Sequence, residues 1–204
     1  MSQTAAPTGR STSEPGFDPK EFRRTLGQFA TGVTVVTYDL DGAPRGATVN
    51  SFTSVSIEPP LVLVSIARSA KAYEALQGKP FTVNVLATEQ LGMALRFAGK
   101  PDDSPIPWEQ GRWAPRITGA LAHFECTPWA AYDGGDHVLF LGRVEAYDRS
   151  PGEPLAFFAG RFRRMGLLLP DGPRVIPLDG RPFPEYVTHL HRLHEAAERG
   201  LDPD

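Results

Sequence analysis

Short runs of β-branched and apolar residues recur along this chain, with only brief helical patterns between them. Val33 to Tyr38 reads VTVVTY, and Asp41-Gly42 just after it is a hairpin signal, because both residues tolerate the left-handed backbone of a tight turn. The return strand lies in RGATVNSFTSVSIEPPLVLVSI, Arg45 to Ile66, where Pro59 and Pro60 interrupt the chain before a buried strand, Leu61 to Ile66. Phe81 to Leu86 is a further strand. Gly119 to Cys126 alternates Ala120, Ala122, Phe124 and Cys126 against Leu121, His123 and Glu125. His137 to Tyr147 is a long strand, apolar on both faces in its first half. Many strands and few helices predict a mainly β chain: a closed or nearly closed β-barrel with peripheral helices.

Three brief segments carry a helical signal. Asp18 is a candidate N-cap, with Pro19 at the first helical position and Glu21 three residues after the cap. Phe22, Leu26 and Phe29 fall on one face of that helix, and Gly32 is its expected end. A second helix follows Ser69 and stops before Gly78, and a third covers Thr88 to Gly99. Trp108 and Trp113 lie in a polar, Pro-rich loop. Order is expected over residues 17–169, as one domain. Residues 1–16, rich in Ser, Thr, Pro and Gly, read as a disordered tail that lacks the basic start and apolar block of a signal peptide. Residues 170–204 read as a linker and a last helix, Glu185 to Arg199.

Several function classes find no support. The net charge is -3, so no global field draws the chain to nucleic acid or acidic lipid. No stretch approaches the roughly 20 apolar residues that span a bilayer. No dinucleotide-fold glycine fingerprint, P-loop or nucleophile elbow is present. The one cysteine, Cys126, excludes an internal disulfide framework and reads as a buried, inert thiol. A cytoplasmic, reducing location is the expectation. The last helix carries His191, His194, Glu195 and Glu198 at three- and four-residue spacings, with His189 nearby. Tyr186, Leu190, Leu193 and Ala197 form its apolar stripe, so a solvated polar face accounts for these residues better than a metal site.

The remaining constellation has three parts. Gly46, Thr48, Asn50 and Phe52 would share one face of a strand, and Ala47, Val49, Ser51 and Thr53 the other. Small residues admit a flat ligand, and an amide with hydroxyls matches a heterocycle edge of alternating C=O and N–H groups. The same residues also suit a half-exposed strand rich in Ser and Thr. Next, Ser65, Arg68, Ser69 and Lys71 stand where a strand passes into a helix, a place suited to phosphate or to ordinary capping. Last, two glycines and Asp136 precede His137 as a strand begins. His137 there could bond a carboxamide, move a proton, or serve only the turn.

Taken in this order, FATGVTVVT, GATVNSFTSVSIEPPLVLVSI, RSAKAYEAL, FTVNVLA, GDH and GRF resemble the flavin reductase family, from about Phe22 to about Met165. These are FMN-binding split-barrel proteins that supply reduced flavin to two-component monooxygenases. The resemblance implies a homodimer with flavin sites near its interface, FMN or FAD as flavin, NADH or NADPH as reductant, and a monooxygenase partner. It implies that Thr48, Val49, Asn50 and Ser51 line the isoalloxazine ring. Ser65, Ala67, Ser69 and Lys71, with Arg68, would surround the ribityl and phosphate end. His137 and Arg161 would face the nicotinamide nucleotide, His137 as the catalytic residue, and Thr31 and Gly32 would close the pocket. Phe162 stands where the family often has Tyr, which removes a hydroxyl contact. Two other readings remain: a split-barrel flavin carrier or oxidase of a related cofactor, and a non-catalytic interaction module that uses the last helix.

Overall fold

The computed structural model describes residues 17–165; the expected N-terminal tail, the 170–204 extension and the histidines of the last helix lie outside the described residues. In chain order the elements are α1 (Pro19–Leu26), β1 (Thr31–Gly32), β2 (Thr34–Leu40), β3 (Ala43–Val49), β4 (Thr53–Ile57), β5 (Pro60–Ala67), α2 (Lys71–Ala75) and β6 (Phe81–Val85). A 3-10 turn (Thr88–Gln90) leads into α3 (Leu91–Phe97). Then come β7 (Trp108–Glu109), β8 (Arg116–Ile117), β9 (Ala122–Gly134), β10 (His137–Arg149), β11 (Leu155–Phe158) and β12 (Arg161–Arg164).

Seven strands form one antiparallel sheet in the order β3-β2-β6-β9-β10-β5-β4. Its two edge strands, β3 and β4, are consecutive in the chain and separated only by Asn50, Ser51 and Phe52. A link of that length reaches at most about 14 Å. A flat sheet of seven strands would hold its edges roughly 29 Å apart. The sheet therefore has to curl until its edges nearly meet. Ser51 closes the seam: its hydroxyl donates to the Ser65 carbonyl at 2.8 Å and accepts from the Ser65 N–H at 3.0 Å. The barrel-with-helices architecture is the one expected from the strand pattern, and the split-barrel assignment agrees with it.

The core has two parts. Val36, Tyr38, Val62, Val64, Ile66, Phe81, Val83, Cys126, Val138 and Phe140 fill the barrel, and α2 adds Ala72 and Ala75. Outside it, Val33, Val35, Leu86, Ala94, Ile117 and Leu155 pack between the barrel wall, α3 and a three-stranded sheet of β1, β11 and β12. Strand β2 is thus buried on both faces, which is why VTVVTY does not alternate. Gly46 is required in β3 because a Cβ there would lie 2.9 Å from Val35 and 3.0 Å from Phe97.

The sequence expectations need several corrections. Helix α1 is capped as foreseen, the Asp18 carboxylate accepting from the Lys20 N–H at 2.8 Å, but it stops at Gly27, the first glycine after its last turn. Gly32 instead lies in β1, paired with Ala156. The Phe22, Leu26 and Phe29 face of the first helix is exposed, and α1 has no buried residue. The Asp41-Gly42 turn forms with positive φ at both residues (55° and 76°), the Asp39 carboxylate accepting from the Gly42 N–H at 2.9 Å. The alternation read through Asn50 and Phe52 breaks after Val49, because the chain leaves the sheet there to cross the seam. Ser69 is not the cap of α2; Ala70 takes that position without a side-chain bond. The loop holding Trp108 contains a small hairpin, β7 with β8.

His123 and Glu125, on one side of the Gly119 to Cys126 alternation, are buried. His123 and Glu125 meet Arg116, which also reaches Asp148. Burial raises the Asp148 carboxyl, but hydrogen bonds and positive charge from His123 and Arg116 outweigh it and hold it below the usual range. Among the described residues no helix is long and apolar enough to cross a membrane.

Candidate functional site

The three motif stretches converge at one end of the barrel. Strand β5 pairs with β10 so that Ala67 faces His137 and Ser65 faces Leu139. Ser65 is also the residue that Ser51 holds across the seam. The crossover Asn50–Phe52, the end of β5 with the turn after it, and the β9–β10 hairpin tip are thereby neighbours. Their separations in sequence range from about a dozen residues to nearly ninety.

The crossover offers donors. Val49 ends β3 opposite Thr34, whose hydroxyl donates to the Val49 carbonyl at 3.0 Å. Beyond it, none of the N–H groups of Asn50, Ser51 and Phe52 donates a hydrogen bond to another described residue. The Asn50 side chain is exposed and likewise unpaired among the described residues. The neighbouring hydroxyls are already used. Thr48 donates to the Ala94 carbonyl of α3 at 2.7 Å, and Ser51 is committed to Ser65. What this stretch leaves free is its backbone N–H groups and one carboxamide, which together match the donor-and-acceptor mixture of a heterocycle rim.

Thr31 and Gly32 lie on β1, which is followed by the strand that pairs with β3. The Thr31 hydroxyl oxygen is buried with no partner among the described residues. A Cβ placed on Gly32 would meet nothing within 4 Å. A buried hydroxyl without a partner is costly unless a bound group satisfies it. Gly32 next to it is exposed, so the backbone there is open to approach. These residues fit a flat, polar-edged heterocycle.

Beyond the end of β5, Ser69 and Lys71 are exposed around the start of α2. Arg68 is not free: its guanidinium bonds the Gly135 carbonyl, Asp133 and the Tyr73 hydroxyl. His137 opens β10, and its Nδ1 is 2.8 Å from the Asp136 carboxylate. A carboxylate only accepts, so Nδ1 carries the proton and donates, leaving Nε2 for a ligand. The hydrogen bond and the charge of His137 hold the Asp136 carboxyl below its ordinary range. Arg161 stands apart on β12, exposed and without a hydrogen bond or ion pair among the described residues. Behind it, a cleft of about 430 Å³ is lined by Arg23, Arg24, Gly27, Gln28, Ala159 and Gly160.

Three residues of this corner escape a reading of the sequence alone. Asp136 orients His137, and its place directly before the histidine was the available signal. Asp133 and Tyr73 hold Arg68, and only folding reveals that. Cys126 is buried within the barrel, and burial, with the Glu125 and Glu145 charges behind it, pushes its thiol up to about 12, as expected for an inert residue. Among the described residues no cluster of metal-ligating side chains occurs.

Comparison with known proteins gives the same picture. A family described as "Flavin reductase like domain" matches residues 26–166. An NADH-dependent flavin reductase from a Rhodococcus species is 41% identical over 167 residues, covering 78% of this chain and 94% of the relative. The reductase subunit of a flavin-dependent monooxygenase from Rhodococcus jostii is 41% identical over 151 residues, covering 72% of this chain and 77% of the relative. The solved NADH:FAD oxidoreductase of Streptomyces globisporus, in complex with NAD and FAD fragments, superposes with a TM-score of 0.69 at 43% identity, covering 78% of this chain and 100% of that one.

Proposed function

The chain belongs to the flavin reductase-like family, and from that premise we propose that it is an NADH-dependent flavin reductase that passes reduced FMN or FAD to a partner monooxygenase. The observation that carries the site assignment is the seam crossover. Three successive backbone N–H groups and the Asn50 carboxamide stand unpaired among the described residues, and elsewhere the Thr31 hydroxyl is buried without a partner among them.

When both nucleotides are bound they supply the redox chemistry themselves, a hydride moving from nicotinamide C4 to flavin N5. The protein binds, orients and adjusts charge. Asn50, Ser51 and Phe52 present N–H groups to the polar rim of the ring, where they stabilise negative charge as it develops. Thr48 and Val49 shape the wall of the pocket, and Thr31 and Gly32 close it. Ser65 and Ala67 line the path to the phosphate end, where Ser69 supplies a hydroxyl and Lys71 a charge. His137, its Nδ1 held by Asp136, offers Nε2 on the nicotinamide side, with Arg161 further out as a cation for the dinucleotide. No strong acid–base pair is needed, because proximity and orientation supply most of the rate. A carrier without reductase activity is less well supported, since the relatives above are reductases by name.

A homodimer is part of the same reading. Leu63, Leu139 and Leu141 are only half-buried on the outer face of β5 and β10, where Tyr132 pairs with Leu139. Val55, Ile57 and Trp129 are exposed on the flanking strands. An apolar surface of this kind calls for a partner, and a second copy would shelter the flavin. A cytoplasmic setting suits the single reduced thiol.

The test is NADH oxidation by the purified protein with FMN and FAD compared, and NADPH as the alternative donor. A flavin-dependent rate is expected. Absence of any rate with either flavin refutes the assignment. Asn50→Ala should weaken flavin binding by roughly tenfold, the order of one to two lost hydrogen bonds. Unchanged affinity by fluorescence titration removes Asn50 from the ring contact.

A further inference from the structure

We propose that Arg68 is a positioning residue, which fastens the β9–β10 hairpin tip to the β5–α2 corner and so sets the place of the His137 ring. The tip is a two-residue turn, Gly135-Asp136, between the paired residues Gly134 and His137. Gly135 takes φ 78°, the glycine-first geometry of a type II′ turn. Such a turn at the end of two long strands has no packing of its own, and Asp133 to Asp136 are all exposed. Six interactions compensate.

The Arg68 N–H donates to the Asp136 carbonyl at 2.9 Å. Its Nε donates to the Gly135 carbonyl at 2.9 Å, and Nη2 to the Asp133 carboxylate at 3.1 Å. From the other side Nη1 reaches the Tyr73 hydroxyl at 3.2 Å, while the guanidinium carbon stands 5.6 Å from the Tyr73 ring centroid. Asp133 returns a bond, accepting from the Gly135 N–H at 2.8 Å. The side chain thus holds two residues of the hairpin tip, Asp133 and Gly135, and ties them to Tyr73 of α2. A planar fork of fixed geometry does this, and a lysine cannot. The ion pair alone would add little, since Arg68 and Asp133 side chains are 38% and 61% exposed. The arrangement acts through its multiplicity, and through His137, which follows Asp136 directly and pairs with Ala67, the residue before Arg68.

A guanidinium held in three directions is a poor free phosphate ligand, although two of its five N–H donors remain. The two roles separate experimentally. The catalytic part of the proposal rests on the reductase reading above, and the clamp itself does not. The variants are Arg68→Lys, which keeps the charge and loses the fork, Arg68→Ala, Asp133→Asn, and the double variant Arg68→Lys with Asp133→Asn.

Amide exchange in the protein alone reads the clamp. The Arg68 and Gly135 amides should exchange about tenfold faster in Arg68→Ala, and the His137 ring resonances should shift. Unchanged exchange and shifts overturn the clamp whatever the activity. Stopped-flow flavin reduction reads the consequence. The hydride-transfer rate should fall at least about tenfold in Arg68→Ala and in Arg68→Lys, the order expected for a misplaced group. Flavin affinity should change by less than about threefold. Asp133→Asn should move the rate in the same direction, and the double variant should be less than additive, as contacting groups are. A loss of flavin affinity in Arg68→Ala, with Arg68→Lys and Asp133→Asn like wild type, makes Arg68 a charge for phosphate and overturns the positioning role. A wild-type protein without flavin-dependent NADH oxidation refutes the reductase reading and leaves the exchange result to stand for the clamp.

Discussion

Replacing Ser51 by Ala removes the bond pair that closes the barrel. The hydroxyl both donates to and accepts from one residue, Ser65, at 2.8 and 3.0 Å. No other side-chain hydrogen bond among the described residues ties the crossover to β5. Each such bond contributes about 1 kcal/mol net, and the two Ser65 backbone groups would lose their partner in a part-buried position. Water reaches part of the site, so the sum stays near 2 kcal/mol rather than the larger penalty of full burial. With an m-value of roughly 2 kcal/mol/M for a chain of this size, the urea midpoint should fall by about 1 M at unchanged m. The Ser65 amide should lose hydrogen-exchange protection by more than the rest of β5. Flavin affinity should fall as well, because the N–H groups of Asn50 to Phe52 are aimed by the seam. Affinity lost at unchanged midpoint would mean that Ser51 acts on the ligand, and that the seam is held by something else. An unchanged midpoint together with unchanged exchange at Ser65 refutes the closure argument altogether.

His137→Ala should lower the rate of flavin reduction by about tenfold to a hundredfold, the order of one lost charge-assisted hydrogen bond, while flavin affinity stays near wild type; a stopped-flow trace like wild type excludes the role. Cys126 should not react with a thiol reagent in the native protein at mildly alkaline pH and should react fully in denaturant, because burial pushes its thiol up to about 12; rapid native labelling contradicts the buried placement. Asp148 has a lowered carboxyl in the folded state, so its contribution to stability is present above the unfolded value of about 3.9 and is lost as pH falls through the folded value. Asp148→Asn should therefore be less stable near neutral pH and lose less stability on acidification; parallel pH–stability curves for the two proteins rule this out.

Much of this molecule follows from local sequence rules. The β-branched run at Val33 to Tyr38 and the Asp41-Gly42 pair specify a hairpin, because only such residues satisfy a pleated strand and a turn with two positive φ values. Asp18 and Pro19 start α1 for equally local reasons. The order of TVNSF, RSAK and GDH along the chain is enough to point to the family. Other features depend on distance. Nothing near Ser51 in sequence reveals that its hydroxyl meets Ser65 rather than a ligand, or that Thr48 is spent on the Ala94 carbonyl of α3. That Arg68 is held by Asp133 and Gly135 is equally hidden, because these partners lie more than sixty residues away. Alternation sets His123 and Glu125 on one face but does not show that Arg116 arrives there to pair with them. Local propensity sets strands and turns. Which polar groups remain free for a ligand is decided only when the sheet curls and its two edges, consecutive in the chain, are brought together.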